Sequence, residues 1–205
     1  MKTKAILLLI CIYFFLQAPA QEIRPLQSPD TLKNSIFIGY GLATFPELQE
    51  AALSAMLYLV TFGIASQKEV RASGVFFVGY EYAVTNNLTA GGTLAFEKIS
   101  GTTQTIFSQK KSSFTDNYYS ILVGIKYNYN FAFKNFRFYG RADAGLLLNT
   151  SFVTGTDEIS VKKTYSKAAF QLSPVCFRVG RKICGFCELG FGQLGLINAG
   201  LEVRF

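Results

Sequence analysis

The chain has 205 residues and not one histidine. Histidine is the side chain most often used for proton transfer near neutral pH, so hydrolase and acyl-transfer mechanisms that need an imidazole base have no residue to run on. Seryl chemistry with a lysine base would not need one, but no segment sets Ser and Lys at a spacing that suggests it. Cys184-Gly185-Phe186-Cys187 has the form CxxC. It stands neither in a βαβ context, where it would suggest a redox site, nor beside a second pair, where it would suggest zinc. On a strand, residues three apart face opposite ways, which rules out a bridge between these two cysteines. Cys176 is the better-placed partner for Cys187 across a turn at Arg181-Lys182, with ordinary packed thiols as the alternative. No residue set implies a catalytic site, a metal or another cofactor.

What remains conspicuous is charge set within apolar sequence. Glu81, Glu97, Asp143, Glu188 and Glu202 on one side, and Lys126, Arg137, Arg141, Arg178 and Arg204 on the other, stand in segments that are otherwise greasy or small. Five acids and five bases brought onto one enclosed face would make a network of ion pairs, whereas a conducting pore tends to carry one sign or a wide wet bore. Whether they share a face depends on the elements that hold them.

Those elements begin after an export signal. Lys2 and Lys4 precede an unbroken apolar run from Ala5 to Leu16, and Ala18-Pro19-Ala20 follows, the layout of a secretory signal cleaved after Ala20. Twelve apolar residues are fewer than the roughly 20 that a spanning helix needs. Cys11 is not preceded by a small residue and lies within the run, which argues against lipoprotein processing. Residues 1–20 are therefore read as signal, 21–33 as a polar leader with Pro25 and Pro29, and 34–205 as one domain. Removing the signal leaves 18 basic and 13 acidic residues, a net +5. The bases are scattered instead of gathered in a patch or helix stripe, so no nucleic-acid partner is expected.

Half the residues are hydrophobic, 15% are aromatic and only 16% are charged, against about 25% charged in an ordinary soluble domain. Yet past the signal no apolar run makes a convincing membrane helix. Period-2 alternation takes its place. It is clearest from Tyr119 to Phe131, where Tyr119, Ile121, Val123, Ile125, Tyr127 and Tyr129 alternate with Ser120, Leu122, Gly124, Lys126 and Asn128. Similar runs cover Phe136 to Asn149 and Ile197 to Phe205, and weaker ones Ser35 to Leu42, Gly74 to Val84, Leu88 to Lys98 and Ile183 to Gly192. Lys167 to Gly180 switches parity at Pro174, as a β-bulge does. The ten charged residues all fall on the polar parity.

Connections alternate between short turns (Thr85 to Asn87, Lys134-Asn135, Arg181-Lys182) and longer gaps (Ala43 to Ser73, Ile99 to Tyr118, Thr150 to Ser166, with a brief one near Gln193). In the first gap, Thr44-Phe45-Pro46-Glu47 is a helix-start pattern. It predicts a helix from about Pro46 to Phe62 with Glu47, Glu50, Ser54, Tyr58 and Thr61 on one stripe and apolar residues around the rest. Its three candidate uses are lying at a lipid interface, capping a barrel mouth, or docking a partner; two additional strands are the other option for this stretch.

Eight strands of this kind describe either a soluble up-and-down barrel, apolar inside, or a membrane barrel, apolar outside. Periodicity cannot choose between them. Aromatics crowd the strand ends nearest the short turns (Tyr82, Tyr127, Tyr129, Phe131, Phe136, Phe138 and Phe205), which is the girdle expected at a membrane interface. The expectation is an all-β, eight-stranded antiparallel up-and-down transmembrane barrel with one amphipathic helix in its first long loop.

With its terminal run Gly200-Leu201-Glu202-Val203-Arg204-Phe205, the chain resembles the small OmpA/OmpX-type outer-membrane barrels, in a version like those common among Bacteroidetes. The resemblance implies an outer-membrane location, lipid as neighbour, and Phe205 as a signal read by the outer-membrane assembly machinery. It also bears on chemistry, because barrel enzymes of this size use histidine. The chain is thus expected to be non-enzymatic, with a closed, charge-balanced lumen, acting in envelope structure or surface interaction through its outer loops. A narrow channel or a small-molecule or lipid-binding barrel is the alternative. The sequence names no surface ligand.

Overall fold

The computed structural model describes residues 32–60, 65–105, 111–133, 136–154 and 160–205. The expected signal and most of the expected leader lie outside them. Eight strands, β1 (Asn34–Leu42), β2 (Ala65–Ala83), β3 (Leu88–Thr105), β4 (Lys111–Phe133), β5 (Phe136–Thr154), β6 (Ser160–Gly180), β7 (Ile183–Gly192) and β8 (Ile197–Arg204), close into one barrel in chain order. Every neighbouring pair is antiparallel, and β1 pairs with β8. Asn34 and Phe205 exchange backbone hydrogen bonds of 2.9 and 2.8 Å at that seam. Closure satisfies the ladder groups that an open sheet would leave bare at two edges.

Alternation settles inside from outside. On β1, Phe37 is 2% exposed and Ile38 61%. The same holds around the wall: Phe76, Val78, Leu94, Ile121, Val123, Ile125, Leu146, Leu172, Leu189 and Leu201 face out, while Glu81, Lys126, Arg141, Asp143, Glu188 and Glu202 are buried inside. A soluble barrel would have the opposite arrangement.

The wall is uneven in height. Strands β1, β7 and β8 have 8 to 10 residues, whereas β2 to β6 have 18 to 23. This corrects the expectation for the long gaps: Lys98 to Gly101 pairs with Phe114 to Asn117, and Thr150 to Thr154 pairs with Ser160 to Thr164. Most of what reads as loop is strand rising beyond the apolar section. Its outward residues are mostly polar, as at Lys98, Asn117, Thr150 and Ser166, with Phe152 as an apolar exception, so regular alternation of hydrophobicity fades where the strand continues. At the other end, the turn at Thr85 is closed by Val84 and Thr85 amides donating to Leu88 O at 2.9 and 3.0 Å. Register shifts between Leu172 and Val175 and between Tyr139 and Arg141 place the expected bulge at Pro174.

Aromatic rings mark both limits of the apolar section. Tyr82, Tyr127, Tyr129 and Phe205 face out at the short-turn end, where Phe136 stacks on Phe177 at 5.7 Å; the side chain of Phe131 lies outside the described residues. A second ring set, absent from the sequence expectation, lies at the extended end. Tyr40 packs on Phe76 (4.7 Å), Phe96 on Tyr119 (5.1 Å) and Phe170 on Phe191 (5.8 Å). From Tyr119 to Tyr127 is roughly 27 Å along a strand, or about 20 Å of height at a tilt near 40°, close to the apolar band of a membrane barrel.

One helix, α1 (Phe45–Val60), follows β1. Thr44 caps it, accepting the Glu47 amide at 3.2 Å, as the start pattern predicts. The described part of this stretch is helix and not two additional strands; β2 itself begins early, at Ala65. The orientation of α1 is inverted relative to an ordinary surface helix. Glu47, Glu50 and Ser54 are half-buried, while Leu48, Leu53, Met56, Leu59 and Val60 are exposed.

Candidate functional site

The enclosed face of the barrel is built in layers, starting from the short-turn end. Alternation puts the acids and bases inside, and strand register then decides who meets. Lys126 on β4 lies 2.8 Å from Glu81 on β2 and 3.8 Å from Glu202 on β8. Glu202 also faces Arg178 at 3.0 Å and Arg204 at 3.6 Å, so one carboxylate holds three cations. Arg141 forms a second knot: its Nε donates to Asp143 at 2.7 Å, Nη2 donates to Thr93 at 2.6 Å, and Nη1 lies 3.6 Å from Glu188. Tyr139, fully buried, donates its hydroxyl to Glu188 at 2.8 Å. Each charge is thus compensated within a few ångströms, the condition under which buried charge is tolerated.

Above this layer lies an aromatic one. Phe37, Phe77 and Phe186 approach one another at 6.2 to 6.3 Å between centroids, and Phe37 lies 5.0 Å from the Arg141 guanidinium. Lys126 stands 4.6 Å from the Tyr139 ring, which makes the rings part of the cations' solvation. The rings fit because their neighbours have no side chain. A Cβ on Gly79 would run into the Phe37 ring and come within 2.6 Å of the Gly92 carbonyl oxygen, and one on Gly200 would lie 2.6 Å from Phe186. Aliphatic side chains, Val75, Ala95, Ile99, Leu122, Leu147, Ala169 and Leu194, then fill the bore towards the extended end. Gln171 pins the turn before β8, accepting the Leu194 amide at 2.8 Å and donating to Gly195 O at 3.2 Å.

Among the expected charges, Glu81, Lys126, Arg141, Asp143, Arg178, Glu188, Glu202 and Arg204 are joined by ion pairs. Glu97 does not join them. It is buried at the level of the aliphatic layer, opposite Val75 on β2 and two residues short of Ile99, and Thr44 Oγ1 lies 2.7 and 2.9 Å from its carboxylate oxygens. Parity put it inside correctly, but its height along β3 separates it from the network. Arg137 lies half-buried at the short-turn end. Sequence reasoning put Tyr139 and Asn128 on the polar parity without giving them a role, and it did not single out Thr93 and Gln171, although their polar parity was the signal. It also missed the hydrophobic plug, because an inward Leu or Phe looks like any other apolar residue.

A bridge between Cys176 and Cys187 is excluded. Cys187 pairs with Phe177 and Cys176 with Glu188, which puts the two thiols on opposite faces of the sheet, and neither is in a disulfide. Cys184 points inward, opposite in parity to Cys187, as expected. A small cavity beside Glu81, Thr89, Lys126, Arg141 and Asp143 has room for about one water molecule. Among the described residues no set of three or more acids and cysteines is placed to hold a metal.

No protein-family model matches the chain, and no curated protein does. Among solved structures it is similar to Ail, the attachment invasion locus protein of Yersinia pestis, with 14% identity and a TM-score of 0.41 over 84% of this chain and 95% of that one. The same protein in complex with the heparin analogue sucrose octasulfate matches at 15% identity, with the same TM-score and coverage. Likenesses this distant carry no functional argument. The layered interior of this chain has to be interpreted from its own residues.

Proposed function

We propose that the chain is a non-enzymatic outer-membrane barrel whose lumen is sealed, and that it acts in envelope structure or surface interaction through its extended end. One observation carries the reading: a continuous outward apolar wall, bounded by aromatic rings at both limits, encloses buried ion pairs and an aliphatic plug. A wall of this kind is stable only against lipid, since exposed apolar patches on soluble proteins seldom exceed a few hundred Å². An eight-stranded bore is just wide enough for side chains to fill. In this reading residues 1–20 are a cleaved export signal, outer-membrane lipid is the neighbour, and the outward Phe205 at the last strand's end is what the assembly machinery reads. The finer kinship, with OmpA/OmpX-type barrels like those of Bacteroidetes, rests on the sequence resemblance. The absence of histidine supports the non-enzymatic part.

The plug favours a sealed barrel over a narrow channel, because ions would have to displace close-packed aliphatic and aromatic side chains. Purified protein reconstituted into planar bilayers should leave conductance at background. Steady, ion-selective openings whose selectivity changes in Arg141→Gln would overturn the sealed lumen and put the channel in its place.

A further inference from the structure

Helix α1 turns its greasy side away from the protein. In a helix, residues three and four apart share a face, and the half-buried Glu47, Glu50 and Ser54 form the stripe turned towards the barrel. The opposite arc carries Leu48, Ala52, Leu53, Ala55, Met56, Leu59 and Val60, all exposed, with Leu59 at 72%. Gln49 is the polar residue on that arc, and it bears no charge. The outward faces of the strand extensions are more polar: above the upper aromatic rings they carry Lys98, Asn117, Thr150 and Ser166, with Phe152 as an apolar exception under Lys162.

The helix is also tied to those rings. Phe45, its first residue, packs on Phe170 at 5.9 Å and on Phe191 at 5.5 Å, both outward-facing members of the upper ring set. The tie lies on the low side of the wall, where β7, β8 and β1 end, and the exposed Leu42, Leu196 and Ile197 stand beside it. Its cap, Thr44, is anchored inward on Glu97, which fixes the polar stripe towards the bore. Anchored in this way, the helix cannot roll its apolar arc inward without breaking its cap and its contact with the rings.

We propose that the apolar arc of α1 is a lipid-contact surface, an extension of the upper girdle that seats in the outer leaflet above β7, β8 and β1. It rests on the reading of the chain as a membrane barrel. Three features select lipid over a protein partner: continuity with the ring set through Phe45, an arc without charge, and a polar stripe already engaged by the chain itself. Interfacial helices bind by burying such an arc at the boundary between headgroups and acyl chains. The barrel is therefore lopsided towards lipid, with an apolar flange where its strands are shortest.

The chain has no tryptophan, so one introduced residue is a sole reporter. Leu53→Trp and Leu59→Trp place it on the arc, and Val123→Trp, at an outward position 66% exposed in mid-wall, serves as the barrel control. Each variant is reconstituted in phosphatidylcholine vesicles containing lipid brominated either near the headgroup or deep in the acyl chain. In the result expected, both helix reporters emit to the blue of free tryptophan and lose emission mainly to shallow bromine, while Val123→Trp loses it mainly to deep bromine. If the control is quenched and the helix reporters respond only to aqueous acrylamide, the arc faces water and the proposal is overturned while the membrane barrel stands. Helix reporters shielded from both quenchers, and released on dilution of protein in lipid, would overturn it in favour of a second copy. If Val123→Trp itself escapes bromine, the membrane reading fails and the proposal with it.

Discussion

Glu202→Gln tests whether the lumen network is dry. The carboxylate is 1% exposed and faces Arg178 at 3.0 Å, Arg204 at 3.6 Å and Lys126 at 3.8 Å. Glutamine keeps the shape and removes the charge. Lys126 retains Glu81 at 2.8 Å, and Arg204 sits nearest the rim, so the loss falls mainly on Arg178, whose remaining hydrogen bond runs to Asn128 at 3.3 Å. Removing one partner of a buried pair costs about 3 to 5 kcal/mol. The amide oxygen can still accept from Arg178, a bond of about 1 kcal/mol, which places the expected destabilisation near 3 kcal/mol. Urea unfolding in lipid vesicles, followed by circular dichroism under reversible conditions, would report it as a shift in midpoint with unchanged slope. Adding Arg178→Met should return about 1 to 3 kcal/mol relative to the sum of the single changes, since contacting sites do not add. A single-variant loss within about 0.5 kcal/mol at unchanged slope, typical of a surface position, would mean that water screens the network, and the dry-lumen argument would fail.

Two further predictions follow from the packing and the wall. Gly79→Ala should destabilise the barrel by about 1 to 3 kcal/mol, the usual cost of overpacking, because its Cβ meets the Phe37 ring and the Gly92 carbonyl; Phe37→Leu in the same chain should recover part of that loss, and a neutral Gly79→Ala would mean the ring layer is loosely packed. Trypsin added to intact cells should spare Arg181-Lys182 and, because Lys162 and Lys163 are paired in β6 with Phe152 and Ser151, cut there only slowly; rapid cleavage at Arg181-Lys182 with the extended end intact would invert the topology.

Much of the architecture was legible in the sequence, because strand periodicity is a local property. Successive side chains on a strand must face opposite ways, so Tyr119 to Tyr129 could be sorted into two faces without any partner in view. The same rule put Lys126 and Glu202 on one parity, and Thr44 with Glu47 marked the helix start within a single turn of chain. These inferences need only neighbours in sequence.

Which parity is the inside is not a local property. A strand has no interior until the sheet closes, and β1 meeting β8 is what turned Ile38 to the outside and Glu81 to the bore. Register, set by the pairing of all eight strands, then separated Glu97 from the charges it resembles and put Cys176 and Cys187 on opposite faces. The extensions of β2 to β6 were invisible because both faces there are largely polar, so only hydrogen bonding to the next strand identifies them. The apolar arc of α1 faces outward for a similar reason. Any amphipathic helix has two faces, and here the contacts of Thr44 with Glu97 and of Phe45 with Phe170 and Phe191, from strands far away in the chain, choose which one turns to the protein.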